Sequence, residues 1–109
     1  MSISYDDFVK VEITLGTILS VEVVEGADKL LRLMVDVGES EPRQILSGIR
    51  TFFEDPQVLV GKQCPFITNL APRTIRGLES NGMILAASID ETLALFYPSE
   101  SLPPGTKLK

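Results

Sequence analysis

The chain contains no histidine, no tryptophan and a single cysteine, Cys64. Without histidine, the usual general base near neutral pH and the commonest metal ligand are gone. One thiol can build neither an intrachain disulfide, nor a thiolate zinc cluster, nor a Cys–His dyad. Carboxylates and hydroxyls remain, but no spacing sets a nucleophile beside a base with a third group to orient it. No catalytic residue, metal site or cofactor is expected, and the chain reads as a binding or assembly module. Long apolar runs are also missing; none approaches the roughly 18 residues that cross a bilayer. The first residues, Met-Ser-Ile-Ser-Tyr-Asp-Asp, have neither the basic nor the apolar segment of a signal peptide. A cytoplasmic protein with no membrane partner is the expectation.

What is present suits one domain: 109 residues, 44% of them hydrophobic, enough for a core without staples. The net charge of −5 is unevenly spread. Residues 1–42 hold nine acidic and three basic side chains, whereas 43–76 hold Arg43, Arg50, Lys62, Arg73 and Arg76 against only Glu54 and Asp55. Screening limits distant charge to about 10 Å, so a local basic face can hold phosphates on an acidic chain. Indiscriminate adhesion to polyanions is disfavoured, and DNA is not an expected partner. A shaped site remains open.

Apolar residues recur mostly at period two. Val9, Val11, Ile13 and Leu15 alternate with polar neighbours, Gly16 breaks the phase, and Ile18, Val21 and Val23 resume it. This predicts one long strand with a glycine bulge. Leu31 to Val37 gives a second strand and Arg43 to Ile49 a third. Asp55-Pro56 supplies a helix cap and a first-turn proline, with Val58, Leu59 and Val60 as the apolar side and Gly61 as the stop. Cys64 to Leu70 is the fourth strand, in which Pro65 must sit at an edge or a bulge. Ala71 to Gly82 reads as a loop, and Met83 to Ser88 as the fifth strand. The fold class is all-β: a five-stranded OB-fold barrel over about residues 8–88 with a short helix between strands three and four. Residues 89–109 form a C-terminal extension. Its apolar Leu93–Tyr97 stretch needs cover that a second copy would supply, so the extension is expected to form a homodimer.

The segment Asn69-Leu-Ala-Pro-Arg-Thr-Ile-Arg-Gly-Leu-Glu-Ser-Asn-Gly-Met83 falls in the region where such barrels bind ligands. Arg73 and Arg76 can each fork onto a phosphate. Asn69 and Ser80 suit phosphate, ribose or a base edge, and Met83 offers an adaptable apolar contact.

Four blocks in order carry a resemblance: Asp28-Lys-Leu-Leu-Arg-Leu-Met-Val-Asp-Val-Gly38, Pro42-Arg-Gln-Ile-Leu-Ser-Gly-Ile49, Leu59-Val-Gly-Lys62 and Asn69 to Ala87. Together they resemble the bacterial and archaeal tRNA-binding domain, from about Asp7 to the C-terminus. That domain occurs at the C-terminus of methionyl-tRNA synthetase (its beta subunit), in stand-alone tRNA-binding proteins and in chaperone-like CsaA proteins. Ser-Gly-Ile-Arg50 and Asn-Leu-Ala-Pro-Arg73 are most similar to the synthetase version. The resemblance implies a dimeric OB-fold that grips the tRNA body through Asn69, Arg73, Arg76, Ser80 and Met83, with Lys29, Arg43 and Ser47 as additions from neighbouring strands. It implies a non-catalytic part that assists methionyl-tRNA synthetase by holding tRNA near the catalytic chain. A CsaA-like protein-binding dimer and a bare dimerisation module are the alternatives.

Overall fold

The computed structural model describes residues 1–109. After a helical turn α1 (Tyr5–Phe8) come β1 (Ile13–Val23), β2 (Leu31–Asp36) and β3 (Arg43–Ser47). Two short 3₁₀ turns (Arg50–Phe52 and Pro56–Leu59) precede β4 (Gln63–Ile67). Then follow β5 (Arg73–Ile75), β6 (Leu78–Ser80), β7 (Met83–Ile84), β8 (Ala86–Ile89) and β9 (Thr92–Leu95). The main sheet is antiparallel, with strand order β3-β2-β1-β4-β7. Its open edges meet where the Asn81 N–H donates to the Gln44 carbonyl at 2.8 Å, which nearly closes a barrel. The five-stranded barrel expected from the periodicity is the one observed.

Leu31, Leu33 and Val35 point inward from β2 while Arg32, Met34 and Asp36 alternate outward. They pack with Ile18, Ile45, Leu59, Cys64 and Phe66 into one core. Complete burial of Phe66 and Ile18 supplies the hydrophobic drive, at roughly 1.5–3 kcal/mol per large side chain.

Local predictions needed correction. The irregularity in β1 lies between Ile18 and Ser20, not at Gly16. Gly16 pairs regularly with Cys64, and a Cβ there would stand 2.6 Å from Val35 and 2.9 Å from Phe66. The glycine is required for close approach across the barrel, a second use of glycine in strands. β1 also starts later than the alternation suggests: Val9 and Val11 are exposed, and residues 5–8 form a turn capped by the Ser4 hydroxyl. The short helix is only a 3₁₀ turn, capped by Asp55 as predicted, and of its three apolar residues only Leu59 is buried.

The fifth strand is split. Leu85 N–H donates to the Pro65 carbonyl at 3.0 Å, after which β8 leaves the barrel and pairs with β9. Pro65 is not at a sheet edge or bulge: β4 lies between β1 and β7, and Pro65 pairs in register with Leu15, but β7 pairs only with Phe66 and Ile67, so the missing N–H falls where that ladder ends. Leu93 and Leu95 pack back on the core, whereas Phe96 and Tyr97 remain half exposed. The remaining tail returns along β1. Leu15 donates to Thr106 O and accepts from Gly105 N, both at 2.8 Å, and Leu108 donates to Ile13 O at 2.9 Å.

Candidate nucleic-acid interface

The predicted loop 71–82 contains a β-hairpin, β5 and β6, joined by Arg76-Gly77. Both residues have positive φ, 53° and 78°, as a two-residue type I′ turn requires. The hairpin lies outside the barrel against β3. Two contacts hold it there, and a third braces one of them. The Ser80 hydroxyl accepts from Leu46 N–H, the Gln44 side chain donates to Glu79 O at 2.8 Å, and Gln44 in turn accepts from Arg32 Nε at 2.6 Å. Arg32 also reaches Glu22 at 3.2 Å, so a polar ladder crosses β1, β2 and β3 to the hairpin.

This geometry sorts the expected contact residues. Arg73 and Arg76 are exposed on the hairpin and Lys29 on the segment between β1 and β2; none forms an ion pair. Met83 is 42% exposed at the barrel rim. Ser47 is half-buried beside Leu31. The other three spend their polar atoms on the framework. Asn69 accepts from Glu12 N–H at 2.8 Å and donates to Lys10 O at 2.6 Å. Ser80 is buried with its hydroxyl on Leu46. Arg43 forks onto Glu39 with two 2.8 Å contacts and donates to Thr68 O and Asn81 O. The Arg43 guanidinium holds the Glu39 carboxyl below the usual carboxylate range.

Residue-by-residue sequence reasoning missed Arg50. Its backbone N–H donates to Lys29 O at 3.2 Å and its guanidinium to Asp28 O at 3.3 Å, with no carboxylate partner. Lys29, Arg50, Arg73 and Arg76 are thus all left unneutralised by ion pairs. The segment 24–30 and the hairpin tip face one another across a groove lined by Lys29, Leu30, Ile75 and Arg76.

A second surface is apolar: a groove between the tail and β1, lined by Leu15, Pro65, Phe96, Tyr97, Leu102 and Leu108. Lys62 stands 5.4 Å from the Tyr97 ring centre. No group of three or more His, Cys, Asp or Glu side chains could hold a metal ion. No helix is long and apolar enough to cross a membrane.

A barrel that turns unpaired cations outward from its first connection and its last defines an OB-fold binding module. The profile of the family described as "Putative tRNA binding domain" matches residues 13–107, and the chain belongs to that family. It is 47% identical over 105 residues to methionine–tRNA ligase of Lactococcus lactis, covering 95% of this chain and 16% of the ligase. It is 46% identical to the Xylella fastidiosa ligase, covering 99% of this chain and 16% of that one. The chain therefore spans about 16% of the length of these curated relatives. Among solved structures, it is similar to a MetRS-related protein from Pyrococcus horikoshii, with TM-score 0.91 and 31% identity, covering 100% of this chain and 99% of that one. The chaperone CsaA of Bacillus anthracis superposes with TM-score 0.88 at 25% identity, each chain covered completely.

Proposed function

We propose that the chain grips the body of a folded tRNA through Lys29, Arg50, Arg73, Arg76 and Met83. In the cytoplasm it would hold tRNA near the catalytic part of a methionyl-tRNA synthetase, raising local concentration without performing chemistry itself. Asn69, Ser80 and Arg43 support the grip as framework, and Ser47 lines its edge. The carrying observation is that the hairpin and the segment facing it present cations with no carboxylate partner. Elsewhere, Arg32, Arg43, Lys10 and Lys107 are each neutralised by an acid, and the two other cations without a carboxylate partner, Lys62 and Lys109, lie outside this groove.

The test is a titration of the chain with folded tRNA and with unstructured RNA of equal length, at several salt concentrations. Folded tRNA should bind more tightly. Arg73→Ala with Arg76→Ala should flatten the log–log salt slope by about 1 for each phosphate no longer neutralised. Absence of binding at low salt would overturn this reading.

The groove beside Phe96 and Tyr97 supports a homodimer in which the second copy covers it, leaving two RNA grips per assembly. Sedimentation with and without Phe96→Glu tests this. A monomeric wild type that captures unfolded polypeptide through the groove would favour the chaperone-like alternative.

A further inference from the structure

We propose that the groove between residues 24–30 and the hairpin tip takes a single unstacked nucleotide of the bound RNA. Its phosphate would lie between Lys29 and Arg76 and its base against Leu30 and Ile75. The inference rests on the RNA-binding reading and specifies what that site recognises.

Six residues line the groove: Ala27, Asp28, Lys29, Leu30, Ile75 and Arg76. The two basic side chains come from opposite walls, and neither has an ion-pair partner. Beneath them, Ala27 is buried, and Leu30 and Ile75 are half-buried, each keeping apolar surface open to the groove. A phosphate alone would use the cations and leave that surface wet. A base-paired nucleotide would satisfy the cations but keep its faces inside the stack. Only a nucleotide out of its stack offers an anion and a flat apolar face together. The Asp28 carboxylate on the same wall repels phosphate but accepts from a ribose 2′-hydroxyl, so it fits the sugar side of the strand.

Arg76 adds a second observation. It adopts φ 53° at the first central position of the turn, where asparagine, aspartate or glycine are the usual occupants. Strain held by a charged side chain at a groove mouth points to a use for that side chain. Asparagine would suit the turn better and would bring no charge.

Three RNA stem-loops of equal length test the proposal: one with a bulged uridine, one with an abasic residue in its place, one fully paired. Each is titrated against the full chain by fluorescence anisotropy. The wild type should prefer the uridine bulge over the abasic RNA by at least about fivefold, the scale of burying part of a base. Ile75→Ala should abolish that preference without changing the salt slope. Leu30→Ala, on the opposite wall, should do the same, which guards against a hairpin disturbed by the first variant. Arg76→Asn should weaken binding to all three RNAs while leaving thermal stability equal or higher. Equal binding of uridine and abasic bulges by the wild type would overturn the nucleotide pocket yet leave the RNA grip standing. Failure to bind any of the three at low salt would remove both.

Discussion

The hydroxyl of Ser80 accepts the backbone N–H of Leu46 at 3.0 Å, joining the arginine-bearing hairpin to the closing edge of the barrel. Both residues are buried. Ser80→Ala leaves the buried Leu46 N–H without a partner, a destabilisation of about 1–3 kcal/mol. Each kcal/mol lowers the thermal midpoint of a domain this size by about 4–8 °C. RNA affinity should weaken with an unchanged salt slope. An unchanged midpoint with weakened RNA affinity would instead make the hydroxyl an RNA contact.

Asn69 pins residues 10–12 to the end of β4 by one accepted and one donated bond. Asn69→Ala should cost about 1–2 kcal/mol and speed amide exchange at Glu12. Asn69→Asp keeps only an acceptor, so Glu12 should stay protected while the Lys10 carbonyl loses its donor. Equal exchange in wild type and alanine variant would refute the clamp.

The Glu39–Arg43 pair makes acid stability asymmetric. Hydrogen bonding to Arg43 depresses the Glu39 pKa in the folded chain. The pair therefore favours folding above the ordinary carboxylate pKa, and that contribution disappears as pH falls through the depressed value. Midpoint against pH should fall less steeply on the acid side for Glu39→Gln than for wild type. The absolute effect should be small, because Glu39 is half exposed. Parallel acid limbs would rule the pair out as a contributor.

Cys64 is fully buried, and burial pushes its thiol up to about 11. Thiolate is the reactive form, so a disulfide reagent at about pH 8 should label the folded chain only as fast as it opens. Denaturant should accelerate labelling in step with loss of structure. Rapid labelling of the folded chain would contradict the burial.

The inward alternation of Leu31, Leu33 and Val35 is legible in the amino-acid order because one wet face imposes period two on a strand. Pro65 is only partly legible: a missing donor restricts where it can stand, and that restriction is met where the β7 ladder ends, not at a sheet edge or bulge. The β5–β6 hairpin is hidden for the opposite reason. Three-residue strands are too short to display a period, and Arg76-Gly77 lacks the asparagine or aspartate that usually marks the turn. The block resemblance names Arg73 and Arg76 on that segment, and Arg43 outside it, as expected contacts. It cannot separate Arg73, which is free, from Arg43, whose charge is taken by a glutamate four residues earlier. Nor can it tell that Ser80 faces inward, because that depends on where the hairpin folds down. Arg50 is visible as a charge but without a place, for it meets Asp28 only through chain reversal.

The returning tail sets Lys107 beside Glu12, 3.3 Å apart, where the chain enters the barrel. Entrance and exit thus share one doorway at the start of β1, while the proposed RNA groove follows the far end of that 11-residue strand, roughly 35 Å away if extended. A polypeptide spliced at either side of that doorway would hang from the same point and leave the groove unobstructed. The barrel is in that sense portable: appended, inserted or circularly permuted there, it would present the same surface to its ligand.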